Sequence, residues 1–203
     1  MIGICPKCGN YEWNKQIEEK QNYIICQQCG HQWHFKKMPL FVLTGCSGVG
    51  KTTTAQELLQ RETKFIPLDA DFLYNIMPHN TEEDYRSWVE QIMSLSKNIM
   101  QAGKLLLWTM AGALEHFEHT YNRRFFAEIH FLALVCNPED LERRMREGRH
   151  ISDPEWIRSS IDYNRWFMEQ GIVSNKKIDT LDITGKCVSE VADYVTKWVE
   201  DRL

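Results

Sequence analysis

The chain has 203 residues, 43% of them hydrophobic, and a net charge of −4. That suits one ordinary domain plus a small extra module, and the acidic balance disfavours non-specific nucleic-acid binding by the chain as a whole. No apolar run approaches the roughly eighteen residues of a membrane span. The start, Met1-Ile2-Gly3-Ile4-Cys5-Pro6, lacks the basic-then-apolar pattern of a secretory signal, so a cytoplasmic protein without a membrane partner is expected.

The first element is marked by cysteines. Four of the seven form two tight pairs, Cys5-Pro6-Lys7-Cys8 and Cys26-Gln27-Gln28-Cys29, with seventeen residues between Cys8 and Cys26. This C-x₂-C-x₁₇-C-x₂-C spacing is that of a zinc site in a reducing compartment. Four thiolates close a tetrahedral shell, so the Zn²⁺ is expected to be structural, with Cys5, Cys8, Cys26 and Cys29 as ligands. His31 and His34 are the alternative ligands. The module, residues 1–37, resembles a zinc ribbon, with short strands expected at Tyr11 to Trp13, Tyr23 to Ile25 and Gln32 to Phe35. A segment this small needs the metal to fold. Tyr11, Trp13, Trp33, His34 and Phe35, near Lys15, Lys36 and Lys37, either stack on nucleic-acid bases or pack a small core.

After a linker at Lys36-Lys37-Met38-Pro39 the pattern alternates. Strands are expected at Leu40 to Thr44, Lys64 to Leu68, Lys104 to Trp108, Ile129 to Cys136 and Lys177 to Asp182. Helices are expected at Lys51 to Gln60, Glu82 to Gln101, Pro138 to Glu147, Pro154 to Glu169 and Ser189 to Asp201. Alternation of this kind predicts a mostly parallel five-stranded sheet with helices on both faces, over residues 38–203. Thr81 and Asn137 are the expected N-caps of the second and third helices.

Between the first strand and first helix stands Gly45-Cys46-Ser47-Gly48-Val49-Gly50-Lys51-Thr52. It fits G-x-x-x-x-G-K-[ST] in the strand–loop–helix context that the motif requires. The glycines turn backbone N–H groups onto an anion, and the helix start adds partial positive charge. Gly45, Ser47, Gly48, Val49, Gly50, Lys51, Thr52 and the adjacent Thr53 are thus assigned to a nucleoside triphosphate such as ATP. Lys51 meets the terminal phosphates and the Thr52 hydroxyl meets Mg²⁺. Cys46 sits near a helix N-terminus, where its pKa falls, or is simply a variable position. Cys136 and Cys187 read as buried.

Three further stretches select among enzymes with this loop. Leu68-Asp69-Ala70-Asp71-Phe72 closes the second strand. Leu141-Glu142-Arg143-Arg144-Met145-Arg146-Glu147-Gly148-Arg149 is an arginine-rich helix followed by a loop. The third strand ends in Thr109 where a Walker B acid would stand, which argues against a motor or switch ATPase. With helical spacing, Arg143 and Arg146 share a face and Arg144 points elsewhere.

With these motifs the chain from Leu40 onward resembles P-loop small-molecule and nucleotide kinases, of the shikimate- and gluconate-kinase type and the chloramphenicol phosphotransferases. The resemblance implies a three-layer P-loop fold and ATP- and Mg²⁺-dependent phosphoryl transfer. It makes Asp69 the organiser of Mg²⁺ and Asp71 the carboxylate that orients or deprotonates the acceptor hydroxyl. It makes the arginine helix a lid, with Arg146 and Arg149 as its catalytic residues beside Lys51, and it brings Ile178-Asp179-Thr180 near the adenine.

The region from Asp71 to Gln101 contains only Arg86 and Lys97 as basic residues. Arginines usually clamp an acceptor phosphate, and a lone Arg86, even helped by Arg123 or Arg124, is a thin clamp. This mildly favours an uncharged acceptor such as a nucleoside, sugar or antibiotic, with transfer to a hydroxyl or phosphate of a nucleoside or nucleotide as the first class to test. Phe72, Tyr74, Trp88 and Trp108 either stack on a base or are core, and Asp162 to Phe167 either lines the site or is an amphipathic core helix. Two other functions compete: a nucleic-acid end kinase whose ribbon grips the strand, and a nucleotide-sensing adaptor.

Overall fold

The computed structural model describes residues 2–12 and 15–203. Three short strands, β1 (Gln16–Glu18), β2 (Tyr23–Ile25) and β3 (Gln32–His34), form an antiparallel sheet in the N-terminal module. β1 lies downstream of the expected Tyr11–Trp13 strand. Tyr11 and Glu12 have no regular structure, and Trp13 falls outside the described residues. The hairpin register, Ile17 opposite Ile24, explains the shift: it turns two apolar side chains to one face, whereas Tyr11 stays 83% exposed.

The rest is a three-layer α/β unit. In chain order it runs β4 (Met38–Thr44), α1 (Lys51–Leu59), β5 (Phe65–Asp69), α2 (Asp71–Tyr74), α3 (Glu82–Met100) and β6 (Leu105–Thr109). Two 3₁₀ segments follow, Leu114–His119 and Tyr121–Phe125. Then come β7 (Phe126–Val135), α4 (Pro138–Arg143), a π-helical turn at Arg144–Gly148, and α5 (Pro154–Glu169). A small hairpin, β8 (Ile172–Val173) and β9 (Lys176–Lys177), leads into β10 (Asp179–Asp182) and α6 (Val188–Glu200). The sheet order is β10-β7-β4-β6-β5, and every pairing is parallel.

Burial follows the pleat. On β4 every residue from Leu40 to Thr44 is buried, as expected of a central parallel strand covered on both faces. Leu40 and Val42 join a core with α3, while Phe41 and Leu43 join one with α1 and α6. The helix starts use the expected chemistry. Asp84 N donates to Thr81 Oγ1 at 3.2 Å and Thr81 N to an Asp84 carboxylate oxygen at 3.0 Å, a reciprocal capping box. Asn137 accepts from Asp140 N at 2.7 Å.

The N-terminal module is not a separate bead. Ile2, Ile24 and Phe35 belong to the same buried cluster as Trp88, Phe117 and Phe125 of the main unit. Phe35 meets Phe125 edge-on at 5.1 Å. Lys36 N donates to the Gln101 side chain at 2.8 Å, and Tyr121 OH to Lys15 O at 3.2 Å. Among the described residues no helix is long and apolar enough to cross a membrane.

Candidate active site

The strand order reverses at β4: β5 and β6 lie to one side of it, β7 and β10 to the other. Ligands bind beyond the carboxyl ends of strands at such a reversal. A cavity of about 960 Å³ opens there, lined by the glycine loop, Asp69, Asp71, Thr109 to Ala111, the arginine segment and the loop after β10.

The loop is shaped by positive-φ glycines that no other residue fits well. A side chain at Gly45, with φ of 133°, would meet Leu134 O at 2.6 Å, and one at Gly48, with φ of 81°, would meet Met145 Cγ at 2.6 Å. No side chain caps the N-terminus of α1, so its first N–H groups remain for an anion. Lys51 Nζ donates to the carbonyls of Gly45 and Cys46 at 2.8 and 2.9 Å, which holds it against the loop. Burial lowers its pKa. The cradle therefore fits a triphosphate in curvature, donors and charge.

Cys46 does not follow the lowered-pKa alternative. It is fully buried, and burial pushes its thiol up to about 12 in spite of the Lys51 charge. It is a packing residue, not a reactive one. Cys136 is buried as expected, but Cys187 is exposed, at the N-cap of α6.

Asp69 and Asp71 face the cleft from the end of β5. Asp69 Oδ1 accepts from Asp71 N at 3.1 Å and so shapes the turn into α2 as well as lining the cavity. Enclosure by the cleft walls, followed by the Asp69 carboxylate, raises the pKa of Asp71, with Lys51 and Arg149 pulling the other way. Two carboxylates beside the hydroxyl-bearing start of α1 are donors of the kind that Mg²⁺ selects. Thr109 lies next to them. It is 1% exposed, and its Oγ1 is buried without a hydrogen-bond partner, a state that costs about 1–3 kcal/mol.

The arginine segment is arranged differently from the helical expectation. Arg149 Nη1 donates to Ser47 Oγ at 2.5 Å, and its guanidinium lies 5.8 Å from the Trp156 ring centre. Arg144 donates to Val49 O at 3.3 Å. Arg143 lines the cavity wall and pairs with Asp140. Arg146, expected in the cleft, instead pairs with Glu142 at 2.8 Å and is absent from the cavity lining. The cause is the π turn at Arg144–Gly148. With i→i+5 bonding, residues five apart share a side, which brings Arg144 into line with Arg149 and turns Arg146 away. Nothing in the sequence except Gly148 signalled this turn.

The far wall also differs. Asp179 is not at the cavity. It is the first residue of β10, in register with Leu132, and it accepts from Trp198 Nε1 and Arg202 at the opposite end of the strand. The cavity is lined instead by Ile183, Lys186, Val188 and Val191, which follow β10.

Of the aromatics, Trp108 is core: it is 0% exposed, and its Nε1 donates to Ser96 Oγ. Trp88 is likewise buried. Phe72 is half exposed and stacks against the edge of this core, 6.1 Å from Trp108. On α5, Asn164 is buried and bonds Cys136 N and O, while Tyr163 OH donates to Ala111 O at the cleft. That helix is mainly a strut for β7 and the cavity wall.

The four thiols of the N-terminal module meet, with all sulfur atoms within 4.8 Å of one another. Cys5 and Cys29 sulfurs lie 3.7 Å apart, and Cys8 and Cys26 3.6 Å. These separations are far beyond a disulfide bond and match the edge of a tetrahedron with metal–sulfur bonds of about 2.3 Å. Neither His31 nor His34 joins the group; the His34 ring lies tilted against Tyr23, with ring centres 3.8 Å apart.

The sequence matches the family described as AAA domain over residues 42–159, more than half of the chain and the stretch that carries the loop, both acids and the arginine segment. The chain belongs to the AAA domain family. Three solved structures share the fold of this AAA domain. A sugar kinase from Janibacter sp. is 20% identical, with a TM-score of 0.58, covering 81% of this chain and 95% of that one. The tunicamycin resistance protein of Deinococcus radiodurans is 15% identical, with a TM-score of 0.58 and coverage of 81% and 96%. The APS kinase of Mycobacterium tuberculosis, solved with AMPPNP and APS, is 16% identical, with a TM-score of 0.51 and coverage of 82% and 98%. At these identities the likeness is one of fold: this AAA domain has the three-layer architecture of P-loop kinases. A search of curated proteins gave no match.

Proposed function

We propose that the protein is an ATP- and Mg²⁺-dependent phosphotransferase that moves the terminal phosphoryl group of ATP to a hydroxyl of a small molecule. The observation that carries this reading is the convergence of Asp71, Lys51 and Arg149 on one cleft, with Asp71 near enough to both cations for each to act on its pKa. The kinases among the solved structures of this fold support it.

Phosphoryl transfer asks the protein mainly for positioning and charge neutralisation. The acceptor hydroxyl lies against Asp71, which takes its proton as the oxygen bonds to the terminal phosphorus. The bond from that phosphorus to the bridging oxygen breaks, and ADP leaves. The loop N–H groups and Lys51 hold the phosphates, and Arg149 and Arg144 neutralise charge from the lid side. Thr52 and Asp69 would hold Mg²⁺, which when bound offsets charge on the phosphate oxygens.

The acceptor is a nucleoside or another uncharged hydroxyl compound in preference to a nucleotide. Of the cations that would clamp an acceptor phosphate, Arg123 is held by Glu118 and the Phe126 carbonyl and Arg124 by Tyr121, which leaves the exposed Arg86, 3.7 Å from Glu83, as a lone clamp. Residues 1–37 act as a zinc ribbon on a kinase unit of residues 38–203, with Zn²⁺ in a structural role.

The test is incubation of the protein with γ-labelled ATP and Mg²⁺ against nucleosides, nucleotides, sugars, antibiotics and short RNA. Acceptor-dependent labelled product that is lost in Asp71→Asn supports the reading. ATP turnover indifferent to every acceptor, or a full-rate Asp71→Asn enzyme, refutes it. Labelled RNA ends would favour the end-kinase alternative.

A further inference from the structure

Thr109 ends β6, and its register partner on β5 is Asp69. On β6, Leu105 and Leu107 belong to the core beneath α1 and α6, whereas Leu106 and Trp108 belong to the opposite one. Alternation therefore turns Thr109 to the α1 face. On β5, Phe65 lies in that same α1-side core, so Asp69, four residues further on, shares the face. The two side chains stand side by side at the carboxyl edge of the sheet, facing the start of α1, where Thr52 lies. Both line the cavity.

Among the described residues the Thr109 hydroxyl has no partner. Buried hydroxyls are almost always hydrogen-bonded, and one that is not calls for an explanation. A partner that arrives with the ligand provides one. We propose that Thr109 is a positioning residue for the metal: its Oγ1 accepts a hydrogen bond from a water in the Mg²⁺ shell, beside the water held by Asp69. This rests on the phosphotransferase reading above. A neutral hydroxyl does here what a strand-end carboxylate would do elsewhere. It adds no third anion beside Asp69 and Asp71.

The experiment uses the full chain with Mn²⁺ as probe and ADP as nucleotide, and free Mn²⁺ is followed by electron paramagnetic resonance. Thr109→Val is close in shape and removes only the hydroxyl. It is expected to weaken Mn²⁺ uptake into the protein–ADP complex about 10- to 100-fold, the usual effect of losing an outer-shell partner. Metal-free ADP binding is expected to stay at the parent's value, and the melting temperature of the metal-free protein to hold or rise, because the change removes an unpaired buried hydroxyl. Thr109→Ser keeps the hydroxyl and is expected to hold parent-like Mn²⁺ affinity. Unchanged Mn²⁺ affinity in Thr109→Val overturns the proposal, as does equal loss in both variants or parallel loss of metal-free ADP binding. A parent that takes up no Mn²⁺ with ADP overturns the phosphotransferase reading itself along with the proposal.

Discussion

Arg149 and Ser47 are 102 residues apart in the chain, yet the guanidinium donates to the hydroxyl at 2.5 Å. This contact, with that of Arg144 on Val49 O, closes the arginine segment onto the glycine loop, and it distinguishes Arg149 from Arg146. Arg149→Ala is expected to lower kcat by about 10²- to 10³-fold, as removal of a donor to developing charge does. Arg146→Ala loses only an exposed pair with Glu142, a contact worth about 0.2–1 kcal/mol, and is expected to keep near-parent kcat. Steady-state kinetics on the two variants check this, and equal losses would return Arg146 to the site.

The pH profile should report Asp71. A carboxylate that accepts a proton works only when ionised, so activity falls as pH drops through its pKa. Enclosure and the Asp69 charge place that pKa above the ordinary 3.8, so the acid limb of kcat/KM should lie higher than an ordinary aspartate would put it. Asp69→Asn removes an anion and should move the limb to lower pH. Arg149→Ala removes a cation and should move it to higher pH. The limb's position, and not its height, is the readout.

The loop glycines give a steric test. Gly48→Ala meets the Met145 side chain, whereas Gly45→Ala meets the Leu134 backbone carbonyl. Alanine at Gly48 costs about 1–2 kcal/mol for its left-handed backbone, and at Gly45, with φ of 133°, it meets a conformation that only glycine adopts readily. Met145→Ala should therefore recover part of the nucleotide affinity lost in Gly48→Ala and none of that lost in Gly45→Ala. Nucleotide binding by titration calorimetry on the single and double variants separates the two.

Much of this site was legible in the sequence because it rests on local chemistry. The glycine loop, the aspartates after β5 and the cysteine pairs are short motifs whose spacing carries their geometry. The caps at Thr81 and Asn137 are equally local. What escaped depends on register and on non-standard turns. The π turn that replaces Arg146 with Arg144 leaves a sequence that still reads as an ordinary helix. Asp179 sits at the wrong end of β10 because strand register is set by pairing with β7. The 3₁₀ segments after β6 and the β8–β9 hairpin lack the periodicity that marks longer elements. Thr109 stands out in the sequence for the acid it replaces, but only the folded structure shows its hydroxyl buried and unpartnered among the described residues.

Metal content makes a fourth prediction. Purified protein should hold one zinc per chain by elemental analysis, and Cys26→Ser should lose it. Because Phe35 and Ile24 lie in the main core, chelation or Cys26→Ser should lower the melting temperature of the whole chain, in one transition. A two-step melt with an unchanged upper transition would contradict this.

The shared core also fixes how the molecule can be cut. Residue 38 looks like a natural place to begin a trimmed catalytic fragment, since β4 starts there. A fragment beginning there would leave Phe125 without the cover of Phe35, and would strip Ile2, Ile24 and Phe35 from the shared buried cluster, a greasy scar on the main unit. Such a fragment would clump or soften for reasons unrelated to catalysis, and its failure would say nothing about what the cysteine module does.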